Sequence, residues 1–486
     1  MFLRSQLVFG ISYLSSEITY LCGMFAQNDT ITALSTPNGE GAIGIIRLSG
    51  PKAIDIVDDL FKGKSLREQV ANTIHFGSLF SPKGDFMDEV LVSLFRAPKS
   101  YTGEDIVEIS CHGSAYILTQ VLDAMIQSGA RLANPGEFTM RAFLNGKMDL
   151  AQAEAVADLI ASQNQAAHSM AVNQLKGGIS EEMVRLREKL IEFASLIELE
   201  LDFGEEDVEF ADRKQLMTLL EDTTLKVKGL LDSFQLGNAI KKGVHTVIVG
   251  RPNAGKSTLL NTLLQEERAI VSEIPGTTRD TIQEALNING VEFRLIDTAG
   301  IREATDTIEA IGIERTFAEV DKSSIVLYIF DAARLSAKEV AKDIEMLSPT
   351  NLVGRQKNKA ILLVANKMDL VQDSSQIYQS DDYPVLHVSA KAKTDIDQIK
   401  TGLYAMIASS NIDPSAPIIS NVRHLEALQN ALESLITVKA GLEVGLSGDL
   451  IALDIRTTIH HLGEVTGSIS TDDLLDSIFR NFCIGK

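Results

Sequence analysis

The chain has 486 residues, of which 45% are hydrophobic and 23% are charged. This balance is typical of a globular protein, and the length predicts two or three domains rather than one. Lys and Arg total 45 against 66 Asp and Glu, which gives a net charge of −21. That charge excludes a protein that holds nucleic acid by a large, uniformly basic surface.

Cysteine use and hydropathy indicate the compartment. Cys22, Cys111 and Cys483 lie far apart and form no CxxC pair, which argues against a disulfide framework and a structural zinc site. No stretch of the sequence reaches the ~18 continuous apolar residues that a membrane helix needs. We therefore expect a cytoplasmic protein that does not enter a membrane.

The N-terminal part of the sequence predicts a short extension and then an α+β domain. Residues 1–24 are expected to be a disordered tail or to precede the true start, and we assign them no function. Residues 25–147 form the predicted domain. Its predicted strands lie at residues 31–34, 42–48, 89–95 and 106–110, and its helices at residues 51–61 and 115–128. Residues 39–44 match GxGxxG, but they open a strand rather than a helix, which predicts a turn and no dinucleotide site.

The rest of the chain predicts a helical domain with an α/β domain inserted into it. Apolar residues recur at a 3-4 spacing in residues 148–242 and again in residues 410–486, where the last helix is predicted at 471–482. Residues 243–409 alternate between strands and helices, with strands at 245–250, 293–297, 325–331, 360–366 and 385–389. This alternation predicts a Ras-like domain with a parallel sheet flanked by helices. Insertion of the α/β domain into the helical domain explains the order helical, α/β, helical. The whole chain is therefore predicted to be a multidomain α/β protein.

The first chemical motif is a phosphate-binding loop. Residues 250–257 read GRPNAGKS and follow a hydrophobic strand, which matches GxxxxGK[ST]. The glycines let backbone N–H groups turn towards phosphate oxygens at the start of a helix. Lys256 would reach the β- and γ-phosphates, and the Ser257 hydroxyl would bind Mg²⁺.

Three further motifs at strand ends specify the nucleotide. Asp297 begins a DTAG sequence and would hold Mg²⁺ through water. Asp369 in an NKMD sequence can accept hydrogen bonds from both N–H donors of guanine, which favours GTP over ATP. The third, Ser389-Ala390-Lys391, would close the base pocket. The residues predicted to bind GTP are Asn253, Ala254, Gly255, Lys256, Ser257, Thr258, Ser272, Glu273, Ile274, Pro275, Gly276, Thr277, Thr278, Asp297, Thr298, Ala299, Gly300, Asn366, Lys367, Met368, Asp369, Ser389, Ala390 and Lys391.

The sequence does not show directly which residue orients the water that attacks GTP. Thr278, in the sequence GTTRD, is our choice for a second hydroxyl ligand of Mg²⁺. Ile301 follows the DTAG sequence, where Ras-type enzymes have a glutamine that orients the attacking water. An apolar side chain cannot do this. Either hydrolysis is negligible, or another residue takes that role.

Several specific sequences extend the pattern beyond a general GTP-binding domain. They are GRPNAGKS, GTTRD, DTAGIRE at residues 297–303, IGIER at 311–315, TGED at 102–105, NPGEFT at 134–139 and the terminal FCIGK. With these, the sequence from Asp29 to Lys486 resembles the tRNA modification GTPase family, named MnmE or TrmE.

The resemblance implies a K⁺-dependent GTPase. In that family the protein is a homodimer whose GTP-binding domains meet in the presence of K⁺, and the ion stands where an arginine finger would. By motif position, K⁺ would be bound by Asn253, Ser272, Ile274 and Thr277. Glu309 would orient the water, and Lys256 and Thr278 would complete the catalytic set.

The resemblance also implies a folate site in the N-terminal domain. The one-carbon donor would be 5-formyl- or methylene-tetrahydrofolate, bound by Arg47, Glu108, Lys147 and the terminal Lys486. From the residues alone, each of these could equally be a surface charge or part of a salt bridge. Cys483 would lie on a mobile tail with a role in catalysis, although it could also be a simple small apolar residue. It does not fit a prenylation box.

Function follows from the resemblance as an expectation. The protein would hydrolyse GTP to support addition of a carboxymethylaminomethyl group at C5 of the tRNA wobble uridine. An FAD-dependent partner of the MnmG type would join it in a heterotetramer and would make most of the tRNA contact. Two alternatives stay open: a regulatory GTP-binding protein of the ribosome-assembly type, and a folate-dependent transferase acting on a small molecule.

Overall fold

A computed structural model describes residues 29–37, 39–202, 213–265, 283–297, 319–347, 360–371, 378–407, 417–469, 472–480, 482 and 485. These residues divide into two compact units. The first contains the described residues of Met1–Ala157, Leu175–Val184 and Gly463–Lys486, and the second those of Asp158–Gln174 and Arg185–Leu462.

A seven-stranded sheet organises the first unit. Its strands are β1 (Ile31–Leu34), β2 (Ile43–Ser49), β3 (Phe61–Lys62), β4 (Thr73–Phe80), β5 (Phe86–Phe95), β6 (Ile106–His112) and β7 (Arg131–Leu132). They are ordered β3-β4-β5-β6-β2-β1-β7, and all neighbours are antiparallel except β1 and β7. The four predicted strands are confirmed, and β3, β4 and β7 were not predicted. The GxGxxG sequence leads into β2, as the prediction of a turn required.

Two helices cover one face of this sheet. They are α1 (Ala53–Leu60) and α2 (Ala115–Gln127), both close to their predicted bounds. Their apolar residues, including Val57 and Val121, join Val90 and Val107 of the strands in one buried cluster. Alternation of buried and exposed side chains along β5 fits a sheet that is covered by helices on this face. The unit also holds α3 (Glu137–Leu144), the start of α4 (Leu150–Ala161) and α13 (Asp472–Phe479).

A six-stranded sheet organises the second unit, and it corrects the prediction of a purely parallel sheet. The strands are β8 (Val244–Val249), β9 (Gln283–Ile288), β10 (Val291–Asp297), β11 (Ile325–Asp331), β12 (Ala360–Asn366) and β13 (Val385–His387), ordered β13-β12-β11-β8-β10-β9. Five strands are parallel, but β9 pairs antiparallel with β10. The reason is a two-residue hairpin turn, Asn289-Gly290, in which both residues have positive φ (52° and 83°).

Both faces of this second sheet are buried. Ile325, Leu327 and Ile329 of β11 belong to one apolar cluster, and the alternate residues Val326 and Tyr328 belong to another. Helices α8 (Lys256–Gln265) and α10 (Asp397–Ala405) contribute to the first cluster, and α9 (Ala337–Leu347) to the second. Burial on both sides explains why the central strands read as continuous hydrophobic runs.

Long helices account for most of the remaining described residues. They are α5 (Gln165–Leu175), α6 (Gly178–Asp202), α7 (Arg213–Lys242), α11 (Val422–Glu443) and α12 (Gly448–Thr466). Helix α7 packs against α11, where Lys439 pairs with Glu221 at 2.9 Å. The last helix, α13, is shorter than the predicted residues 471–482. No helix in the part of the chain given above is long and apolar enough to cross a membrane.

Candidate functional site

The phosphate-binding loop runs from the end of β8 to the start of α8, as the sequence predicted. Both of its glycines are required by close approach of other backbone and side-chain atoms. A Cβ on Gly250 would overlap the carbonyl oxygen of Ile329 on β11, and one on Gly255 would overlap the side-chain nitrogen of Asn366. Gly255 also has a φ of +97°, a conformation that L side chains rarely adopt. The loop therefore packs directly on the two neighbouring strand ends.

Lys256 is held inside this loop. The residue is only 7% exposed, and its Nζ donates hydrogen bonds to the carbonyl oxygens of Gly250 at 2.8 Å and Arg251 at 3.1 Å. Its charge is therefore concentrated at the start of α8, where the helix dipole also favours an anion. Phosphate oxygens could replace these carbonyl acceptors when a nucleotide binds.

Arg251, the second residue of the loop, is anchored to α9. Its Nε and Nη2 donate to the two carboxylate oxygens of Asp343 at 2.8 and 3.0 Å, and its Nη1 donates to Glu339 at 3.0 Å. The hydroxyl of Tyr328 donates to the same Asp343 carboxylate at 2.6 Å. Burial and this neighbouring carboxylate raise the pKa of Tyr328, so the phenol stays a donor. The sequence did not predict this set of contacts.

The two predicted Mg²⁺ ligands of the described chain lie together. The Ser257 hydroxyl, on the first turn of α8, donates to Oδ2 of Asp297 at 3.3 Å, and Asp297 is the last residue of β10. A hydroxyl and a carboxylate beside a phosphate-binding loop are the hard oxygen ligands that Mg²⁺ prefers. These side chains therefore fit the ion that a nucleoside triphosphate brings with it.

Asn366 joins the phosphate-binding loop to the predicted base pocket. This residue ends β12 and is 2% exposed. Its Nδ2 donates to the carbonyl oxygen of Ala254 at 2.8 Å, and its Oδ1 accepts from the backbone N–H of Ala390 at 3.0 Å. A single buried amide thus ties together the two loops that would contact opposite ends of a nucleotide.

Asp369 lies in the predicted base pocket and is held there by Ser389. Ser389 Oγ donates to its Oδ1 at 2.5 Å, and the same Oγ accepts from the backbone N–H of Ala392 at 3.2 Å. Asp369 is exposed, so the carboxylate can still accept hydrogen bonds from a ligand. Met368 and Lys391 lie beside these residues along the chain, and Lys391 is exposed.

The described part of the predicted nucleotide site is completed by Asn253, Thr258 and Lys367. Asn253 is exposed, with a φ of +61°, and Thr258 is exposed on the first turn of α8. Lys367 is half-buried and precedes the turn that carries Asp369. The remaining predicted nucleotide, K⁺ and tail residues lie outside the described chain, so their roles stay predictions: Ser272, Glu273, Ile274, Pro275, Gly276, Thr277, Thr278, Thr298, Ala299, Gly300, Glu309, Cys483 and Lys486.

Two of the predicted folate residues meet in the first unit. Arg47 on β2 and Glu108 on β6 are cross-strand neighbours, and Arg47 Nη2 lies 2.7 Å from Glu108 Oε1. The guanidinium carbon is 5.6 Å from the ring centroids of both Tyr101 and Phe138. Burial raises the pKa of Tyr101, so its phenol stays neutral beside Arg47. The two charges satisfy each other here, so a ligand would have to compete for them.

Of the other two predicted folate residues, the structure describes only Lys147. Lys147 donates instead to the carbonyl oxygen of Pro98 at 2.9 Å. Lys486 is not described, but the carbonyl oxygen of Gly485 accepts from Ser35 Oγ at 3.3 Å. Ser35 directly follows β1, whose Ala33 is the cross-strand neighbour of Arg47.

Comparison with known proteins covers almost the whole chain. The family model of the GTP-binding protein TrmE N-terminus matches residues 30–147, and that of the MnmE helical domain matches residues 150–483. A tRNA modification GTPase MnmE from Cytophaga hutchinsonii is 50% identical over 460 residues, which cover 95% of this chain and 98% of that protein. The protein of the same name from Flavobacterium johnsoniae is 49% identical, covering 95% of this chain and 100% of that protein. A third, from Christiangramia forsetii, is 50% identical, covering 94% and 99%. The chain therefore belongs to the tRNA modification GTPase family MnmE.

Proposed function

We propose that this protein hydrolyses GTP to support modification of the tRNA wobble uridine. The observation that carries the proposal is the convergence of four nucleotide elements in a chain that belongs to the MnmE family. Lys256, the Ser257–Asp297 pair, Asn366 and Asp369 stand at adjoining strand ends of one sheet. Their chemistry suits a triphosphate, a divalent cation and a guanine base.

Each residue then has a distinct role in hydrolysis. Lys256 would stabilise charge on the β- and γ-phosphates, and Ser257, Asp297 and Thr278 would hold Mg²⁺. When bound, Mg²⁺ offsets the charge of the phosphate oxygens. Ile301 cannot orient the attacking water, so we assign that role to Glu309.

Potassium would replace an arginine finger. The proposed ligands are the Asn253 side chain and the loop that contains Ser272, Ile274 and Thr277. A monovalent cation at this place would neutralise charge that develops on the transferred phosphoryl group. The exposed position of Asn253 at the loop surface is compatible with a site that forms when two GTP-binding domains meet.

The first unit would supply the one-carbon donor. A tetrahydrofolate could lie against Arg47 and Glu108, since a pterin needs a carboxylate acceptor and a glutamyl tail needs cations. Tyr101 and Phe138 offer flat apolar walls beside that pair. Lys147, Lys486 and Cys483 would complete the site, with Lys486 and Cys483 brought by the tail that passes Ser35.

The working assembly would be a homodimer joined to an FAD-dependent partner of the MnmG type. Together they would add the carboxymethylaminomethyl group at C5 of the uridine. Because the chain has a net charge of −21, most of the phosphate contacts with tRNA would come from the partner. The protein would act in the cytoplasm.

Nucleoside analysis of bulk tRNA by mass spectrometry tests this proposal. Cells lacking the protein should lose carboxymethylaminomethyl-uridine, and the wild-type protein should restore it. Asp297→Ala, which removes the Mg²⁺ carboxylate, should not restore it, whereas the exposed control Asp381→Ala should. An unchanged nucleoside profile in the deleted cells would refute the modification role and favour a regulatory GTP-binding protein.

A further inference from the structure

The turn that carries Asp369 begins with an unusual backbone conformation. Lys367 has φ 68° and ψ 37°, which lies in the left-handed region, and the short 3₁₀ turn Met368–Leu370 follows it. For a residue with a side chain this conformation costs roughly 1–2 kcal/mol. Surrounding contacts must therefore hold Lys367 in place, and with it the direction in which Asp369 points.

Asp331, the last residue of β11, provides those contacts. The residue is 5% exposed. Its Oδ2 accepts from Lys367 Nζ at 2.7 Å, and its Oδ1 accepts from the backbone N–H of Ala333 at 3.1 Å. The backbone N–H of Ala332, the residue between Asp331 and Ala333, donates to the carbonyl oxygen of Asn366 at 2.9 Å. The end of β11 and the residues before Asp369 are thus joined by both side-chain and backbone hydrogen bonds.

The ion pair between Asp331 and Lys367 is the one of these contacts that a substitution can remove selectively. A carboxylate that is almost fully buried depends on its partners to offset the loss of water. Lys367 supplies the opposite charge at 2.7 Å. Arg334 lies 4.0 Å away, but it is 79% exposed and adds little. Removal of the Asp331 charge would therefore release Lys367 while leaving the backbone hydrogen bonds possible.

We propose that Asp331 is a positioning residue for guanine recognition, acting through Lys367 on the turn that aims Asp369. The inference rests on the proposed binding of GTP. Ser389 fixes one side of the Asp369 carboxylate, and the Asp331–Lys367 pair fixes the turn that precedes it. Asp331 itself does not need to contact the base. It sets how well Asp369 meets the ring N–H and the 2-amino group of guanine together.

Equilibrium binding of GTP and ITP by the full chain measures this effect. ITP lacks the 2-amino group, so it makes only one of the two hydrogen bonds to Asp369. The ratio of the two affinities reports the second bond. Asp331→Asn keeps the volume and the acceptor for Ala333 but removes the charge, and we expect that ratio to fall about tenfold. The exposed Asp397→Asn, which removes the same charge from a surface pair with Lys400, should leave the ratio unchanged.

A double-mutant cycle separates positioning from loss of stability. If Asp331 acts through Lys367, the effects of Asp331→Asn and Lys367→Gln on the ratio should not add. Urea unfolding of each variant checks that the fold is retained. An unchanged ratio in Asp331→Asn, or strictly additive effects, would overturn the inference. A wild-type chain that binds neither nucleotide, or binds both equally, would instead overturn the proposed function.

Discussion

Replacement of Asn366 by aspartate tests whether the phosphate-binding loop and the base pocket work as one unit. The two side chains have nearly the same shape, so the change is chemical rather than steric. Aspartate can still accept from the N–H of Ala390, now 3.0 Å from the asparagine oxygen. It cannot donate to the carbonyl oxygen of Ala254, which lies 2.8 Å from the asparagine nitrogen. Two oxygens would then face each other where one hydrogen bond stood.

The burial of this contact sets the magnitude. Asn366 is 2% exposed, so water cannot satisfy the Ala254 carbonyl after the donor is lost. An unsatisfied buried acceptor costs about 1–3 kcal/mol, and a charged neighbour adds to that penalty. We expect GTP binding to weaken by about 2–3 kcal/mol, which is roughly 30- to 150-fold in dissociation constant. The loop would have to move away from the introduced carboxylate before the phosphates could be held.

Calorimetric titration of GTP in the presence of Mg²⁺ gives the binding change, and urea unfolding gives the change in stability. The exposed Asn430→Asp on α11 is the matched control, because it adds the same charge away from the site. The control should bind GTP as the wild type does. A folded Asn366→Asp protein with GTP affinity within about threefold of wild type would refute the coupling of the two loops.

Four other outcomes are expected. GTP turnover should rise strongly in K⁺ and hardly in Na⁺, and equal rates in the two salts would contradict the potassium site. Ser257→Ala should raise the Mg²⁺ concentration needed for half-maximal GTP binding about tenfold, since it removes one oxygen ligand. Burial alone would raise the pKa of Glu137, but hydrogen bonds from Arg131 and the Asn134 N–H lower it overall. Its contribution to stability is therefore present above its ordinary pKa and is lost as the pH falls below it, and Glu137→Gln should flatten that acid loss in urea titrations. Burial raises the pKa of Cys111 to about 11, so mass mapping at pH 8 should find its peptide alkylated in urea but not in the native protein.

Local motifs made most of the candidate nucleotide site predictable. The strand–loop–helix order around residues 250–257 requires only neighbouring residues, and the structure has that order. The same holds for Asp297, which is the last residue of a hydrophobic strand, and for Asp369, which lies in the turn just after another. Parallel strands bring their carboxyl ends to one edge of a sheet, so the meeting of these residues followed from the alternation of elements.

Of the four strands that were not predicted, β4 and β9 escaped for different physical reasons. In β4 the apolar Ile74 and Phe76 are exposed, at 66% and 65%, so the apolar pattern does not mark a buried face. The antiparallel strand β9 lies on the edge of its sheet and precedes Asn289-Gly290, the strongest short hairpin signal available. That signal lies in the sequence itself and is sufficient to predict that β9 and β10 pair antiparallel.

The contacts that hold the nucleotide loops were beyond the sequence because they join distant residues. Arg251 and Asp343 are 92 positions apart, and Asp331 and Lys367 are 36 apart. Both sets converge on β11, which lies between β8 and β12 in the sheet. Strand β8 leads into the phosphate-binding loop, and β12 leads into the turn that carries Asp369. Tyr328 and Asp331 on the intervening strand can therefore support the two ends of the candidate nucleotide site separately. Tyr328 acts through Asp343 and Arg251, and Asp331 acts through Lys367.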